Sequence, residues 1–127
     1  MKFGVSFKEE DQRKFKRIFF SEKDNVRAVF SNLGHHFLLD MTVLNLSESG
    51  IGLMMWKRES NGIHSGDILM LKAITGHPRL DFIRNIQSEI RWILNHKFLD
   101  HVGIGCEFVN MPLPLKDQLR NSLSNDI

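Results

Sequence analysis

The chain has 127 residues, close to the usual size of one domain and too short for two ordinary ones. Hydrophobic residues at 42% and charged residues at 25% exclude a disordered or fibrous chain, and a formal net charge of +2 excludes bulk attraction to nucleic acid or a membrane surface. A lone cysteine, Cys106, excludes an intramolecular disulfide and fits a reducing compartment. No apolar run approaches the roughly 20 residues of a membrane helix, and the N-terminus lacks an apolar core of signal-peptide length. The expected location is therefore the cytoplasm, without direct membrane insertion.

In chain order, residues 1–17 are polar, lack a sustained period, and read as a flexible N-terminal arm. An acidic run (Glu9, Glu10, Asp11) is followed directly by a basic one (Arg13, Lys14, Lys16, Arg17). Residues 18–111 carry short apolar stretches bounded by turn residues, the pattern of strands. Stretches 26–30 and 37–44 form a predicted hairpin around a turn at 31–34. Residues 47–50 interrupt the next apolar run, 51–56, and a polar loop over 57–66 leads into a strand at 68–74. Five or more short strands at this spacing indicate a sandwich or barrel. Leu80, Ile83, Ile86, Ile90, Ile93 and Leu94 recur at intervals that suit a helix, but the alternation of Ile90, Trp92 and Leu94 favours a strand, paired with 102–109 across a turn at 96–101. Pro112 and Pro114 then break the chain, and Leu115, Leu119 and Leu123 mark one face of a short helix within 112–127. That helix is expected to cover one end of the barrel. There is no internal repeat and no low-complexity segment.

Two elements carry the chemistry. The first is Arg13-Lys14-Phe15-Lys16-Arg17; the second, about thirty residues on, is Asn45-Leu46-Ser47-Glu48-Ser49-Gly50. Alone, the first is usually a solvated charged face, and the second a turn in which Asn and Ser bond nearby backbone and Gly supplies a positive φ. Together they have a physical logic. A guanidinium is planar, charged and forked, so it grips a phosphate or the O6/N7 edge of guanine with two parallel hydrogen bonds. An Asn carbonyl accepts from guanine N–H groups, a Ser hydroxyl donates or accepts, and Gly permits close approach of a ligand to the backbone.

This pairing of R-x-x-x-R with N-x-S-x-x-G resembles the two-part signature of PilZ domains. Residues Gly66-Asp67-Ile68-Leu69-Met70-Leu71 are similar to the family's central strand, Glu89-Ile90-Arg91-Trp92-Ile93 to the strand after it, and Gly105-Cys106-Glu107-Phe108 to its closing G-x-x-F strand. The resemblance spans residues 10–123. It implies a mainly β fold, a six-stranded antiparallel barrel with a short C-terminal helix, that binds cyclic di-GMP and performs no chemistry on it. Arg13 and Arg17 would hold phosphates and guanine edges, Asn45 and Ser47 would contact a guanine, and Gly50 would shape the turn. Gln12 is neutral where some members carry another basic residue, which leaves open whether one ligand or a stacked pair is bound. Lys14 and Lys16 are secondary candidates for long-range attraction, though such lysines are more often simply solvated; Trp92 is a further secondary candidate at the ligand's border.

Other readings are bland. His35 and His36 are adjacent and would face opposite sides of a strand, while His64, His77, His96 and His101 fall in turns, so no metal-ligand spacing recurs. Cys106 reads as a buried small hydrophobe. Asp40, Asp67, Asp81 and Asp100 are scattered, with no pair marked for acid-base work, so no enzyme and no cofactor is expected. Trp56 and Trp92 read as core or barrel-end packing. Three functions compete. The leading one is a cyclic di-GMP receptor acting on an unidentified effector in motility, pilus, exopolysaccharide or virulence control, as monomer or homodimer. The second is a PilZ-like interaction module without nucleotide binding. The third, a barrel for single-stranded nucleic acid, is weakest: the positive charge is concentrated in one cluster and there is no Tyr.

Overall fold

Alternation of inward apolar and outward polar residues is what lets a short strand wall a small core, and here it does so repeatedly. The computed structural model describes residues 16–32 and 38–124. Its strands are β1 (Arg17–Phe19), β2 (Arg27–Asn32), β3 (Leu38–Ser47), β4 (Gly50–Trp56), β5 (Ile68–Thr75), β6 (Ile86–Leu94) and β7 (His101–Val109), followed by helix α1 (Leu113–Ser124). All pairings are antiparallel. The order β3-β2-β5-β6-β7-β4 closes through a β3–β4 pairing into a six-stranded barrel. Closure leaves no free edge within the barrel.

The core comes from the inward rows, including Ala28 and Phe30 of β2, Met41 and Val43 of β3, Leu53 of β4, Leu69 and Leu71 of β5, Ile90 of β6 and Ile104 of β7. Residues 31 and 32, expected in a turn, instead continue β2 and pair with Met70 and Leu69 of β5. The ambiguous stretch resolves into two parts. Leu80 and Ile83 are fully buried from a 3₁₀ turn at Pro78–Leu80 and the bend after it, and the strand begins only at Ile86. The helix-like spacing was that of a loop plugging the barrel, joined to a strand.

In α1, Leu119 and Leu123 are buried and Leu115 packs against the core. Pro114 lies inside the first helical turn rather than before it, a position where its missing N–H costs nothing.

Outside the barrel, β1 pairs with β3 over Asn45–Ser47, on the edge of β3 that β2 occupies further up. Arg17, assigned from sequence to the arm, is the first residue of this strand and lies opposite Ser47. Residues 1–15, Arg13 included, fall outside the described ones.

Candidate functional site

Two irregularities in the barrel wall build the site. The β3–β4 register runs Val43↔Leu53 and then Asn45↔Gly52, so Leu44 is an extra residue. Likewise the β6–β7 register runs Ile90↔Cys106 and then Trp92↔Gly105, making Arg91 an extra residue. Each bulge places two consecutive side chains outside the barrel, which is how bulges re-aim residues: Leu44 with Asn45, and Arg91 with Trp92.

Between the bulges, Asn45, Gly52, Gly105 and Trp92 stand opposite one another across four strands. Both central members are glycines. A Cβ on Gly52 would run into the Asn45 amide, and one on Gly105 would run into the Trp92 indole. The two side chains thus lie inward over bare backbone from either side. A cavity of about 220 Å³ occupies this part of the wall, bordered by Arg17, Gly50, Gly52, Arg91, Trp92 and Glu107 among others.

On one flank, Arg17 Nη1 donates to Asn45 Oδ1 at 3.1 Å. Arg17 Nε is buried without a hydrogen-bond partner among the described residues. A buried donor on a cation that lacks an acceptor is costly, and the residue that carries it borders the cavity. Asn45 Oδ1, expected to accept from guanine, already accepts from Arg17 and has one further lone pair to offer. On the other flank, Arg91 Nη1 donates to Glu107 Oε1 at 2.8 Å and lies 3.8 Å from Glu89 Oε1.

The turn between β3 and β4 is built by Ser47. Its side chain is buried, and Oγ accepts from the backbone N–H of Ser49 and of Gly50, each at 3.2 Å. The hydroxyl also shares a hydrogen bond with Ser49 Oγ at 3.0 Å. In this structure Ser47 shapes the turn and does not border the cavity. Gly50 has an ordinary φ rather than the expected positive one; its requirement is steric, since a Cβ there would strike the Cys106 carbonyl oxygen of β7. Glu48, between them in the motif, is buried, and its carboxylate takes a forked pair of hydrogen bonds from Arg120 of α1, at 2.8 and 3.0 Å. That pairing holds the Arg120 guanidinium firmly in its charged form, raising its pKa.

Of the residues singled out from sequence, the structure brings together Arg17, Asn45, Gly50 and Trp92. Lys16 is exposed and does not border the cavity. Gln12, Arg13 and Lys14 lie outside the described residues, as do His35 and His36. Both tryptophans are 46% exposed, so of the core or barrel-end packing expected for them the core alternative does not hold. Trp92 borders the cavity, while Trp56 lies under Arg58, whose guanidinium carbon is 5.1 Å from the ring centre. Missed were Arg91, Glu107, Gly52 and Gly105. The G-x-G of β4 and of β7 was a usable signal, because glycine inside a strand marks a close approach. Burial pushes the Cys106 thiol up to about 12, which keeps it neutral and poorly nucleophilic. Among the described residues no group of three His, Cys, Asp or Glu side chains could hold a metal ion, and no helix is long and apolar enough to cross a membrane.

A closed antiparallel barrel of six strands with a covering helix and a guanidinium-bordered exterior surface defines a small β-barrel domain of the kind the two-part motif suggested. The chain belongs to the PilZ domain family, whose model matches residues 11–125. No curated protein matches it by sequence. Among solved structures it is similar to the Bacillus subtilis inhibitor of motility MotI/DgrA, with a TM-score of 0.66 at 16% identity over 90% of this chain and 50% of that one. It is also similar to the K. pneumonia MrkH–c-di-GMP complex, with a TM-score of 0.70 at 12% identity over 90% of this chain and 52% of that one. A third is the PilZ domain of Escherichia coli YcgR with c-di-GMP, with a TM-score of 0.65 at 13% identity over 91% of this chain and 93% of that one. The chain thus spans about half the length of MotI and MrkH, and these likenesses establish the fold.

Proposed function

We propose that this domain is a receptor for cyclic di-GMP that relays the ligand's presence to a protein effector and does no chemistry on it. The observation that carries the reading is Arg17: anchored by Asn45, it borders the cavity with its buried Nε lacking an acceptor. A phosphate or guanine edge supplies that acceptor. Family membership and the c-di-GMP named with MrkH and YcgR support the choice of ligand. Arg13 would add a second guanidinium, Asn45 a second acceptor, and Ser47 and Gly50 the turn. A reducing cytoplasm is the proposed setting for the single, reduced Cys106, and the effector would act in motility, pilus, exopolysaccharide or virulence control.

Hydrogen bonds to charged groups contribute roughly 1.5–3 kcal/mol each, against about 8 kcal/mol for micromolar affinity. Calorimetric titration with cyclic di-GMP, cyclic di-AMP and GTP, repeated with Arg17→Ala, tests the proposal. Selective binding of cyclic di-GMP that the substitution abolishes is the expected result. No heat from the unaltered protein at high ligand concentration would refute it.

A further inference from the structure

Cyclic di-GMP carries two phosphodiesters on opposite sides of one ring, each with a negative charge. Of the two-part motif's arginines, the described one, Arg17, lies on one flank of the cavity. Along the row that crosses the site, β1 with Arg17 and β6 with Arg91 stand at opposite ends, separated by β3, β4 and β7. Arg17 and Arg91 are the cations among the described residues that border the cavity. Arg91 owes its place beside outward Trp92 to the β6 bulge, a feature no motif anticipates.

We propose that Arg91 is a further ligand-binding residue of this site, gripping the phosphate remote from Arg17, with Glu107 holding its charge in reserve until the ligand arrives. The proposal rests on the receptor reading above. Arg91 engages Glu107 through Nη1 alone, and its Nε and Nη2 are bonded to no described residue. That leaves a second edge of the guanidinium to accept a forked anion. The pair is half-exposed on both sides, 55% and 53%, and pairs of this kind are weakly held, so exchange of Glu107 for a phosphate is cheap. Glu107 itself borders the cavity and opposes an anion there.

These two roles predict effects of opposite sign. Arg91→Ala weakens cyclic di-GMP binding about tenfold or more, the loss of a charge-assisted contact. Glu107→Gln tightens it about threefold or more, because one negative charge leaves the cavity and Arg91 loses its nearer carboxylate, keeping only Glu89 at 3.8 Å. Both side chains are half-exposed, so both variants should melt within about 2 °C of the unaltered protein. Calorimetry of the three proteins with cyclic di-GMP decides the matter. Weakening in Arg91→Ala together with equal or tighter binding in Glu107→Gln supports the role. Binding by Arg91→Ala within threefold of the unaltered protein overturns it, as does loss in Glu107→Gln comparable to that in Arg91→Ala, which would mark the pair as structural. If the unaltered protein does not bind, the receptor reading fails and takes this role with it; if it binds and Arg91→Ala binds equally, only this role fails.

Discussion

Substituting Gly105 by alanine tests the construction of the site directly. The added methyl points out of the barrel into the Trp92 indole, and the ring has somewhere to go because it is 46% exposed. About half of the ~250 Å² that an indole presents is therefore covered. At ~25 cal/mol per Å², complete displacement costs on the order of 3 kcal/mol, offset by roughly 0.5–1 kcal/mol from replacing a strand glycine. A net loss of about 2–2.5 kcal/mol corresponds to a fall in Tm of roughly 7–10 °C for a domain of this size. The assay is tryptophan fluorescence in a Trp56→Phe background, which leaves Trp92 as the sole indole, since the chain has two. Gly105→Ala should shift its emission to the red, raise its quenching by acrylamide, and weaken cyclic di-GMP binding. An unchanged spectrum with an unchanged Tm would show that the ring does not rest on Gly105 and would refute the proposed floor of the cavity.

Ser47→Ala should cost about 1–3 kcal/mol in urea denaturation, because two turn N–H groups lose the acceptor that the buried Oγ provides; unaltered stability with lost binding would instead mark Ser47 as a direct ligand contact. Arg120→Ala should speed amide exchange through both α1 and residues 48–50, since it removes the forked partner of buried Glu48; a change confined to α1 would disprove the link. For Cys106, burial raises the thiol from 9.0 to about 12, so the folded state holds the proton that the unfolded state releases across that interval. Its contribution is complete below pH 9 and is lost as pH rises towards 12, at up to about 1.4 kcal/mol per pH unit. Cys106→Ala should show a shallower alkaline decline in urea melts, and identical slopes would contradict the burial argument.

The barrel was legible because most of its walls obey period two: Ala28 and Phe30, Leu39, Met41 and Val43, and Val102, Ile104 and Cys106 all alternate inward as the sequence pattern requires. The turn of the second motif was legible through Ser47, whose hydroxyl serves local backbone geometry, whereas Gly50 answers to the Cys106 carbonyl of β7, a contact between distant strands. Other features left no periodic trace. Strand β1 is three residues long and is held by pairing with β3, so Arg17 looked like part of an arm. Leu80 and Ile83 imitate a helix because a 3₁₀ turn and a bend also bring residues inward at intervals of three.

The bulges explain the remaining discrepancy, and they tie the polar motif to the fold. Val43 faces the core, so in an unbroken strand Asn45 would face it too, placing an unpaired amide among apolar side chains at a cost of several kcal/mol. Inserting Leu44 removes that conflict by turning Asn45 outward, where Gly52 makes room for it and Arg17 bonds it. In the same way Ile90 is fully buried, and an unbroken strand would send Trp92 into a core already filled by Ile104 and Leu53. Inserting Arg91 turns Trp92 out over Gly105 and adds a guanidinium beside it. A polar or oversized residue at a position that alternation assigns to the interior is thus a sequence signal for a bulge. In this barrel Trp92 borders the cavity directly and Asn45 reaches it through Arg17, which it holds at the cavity's other flank, which is why residues as dissimilar as Asn45 and Trp92 belong to one site.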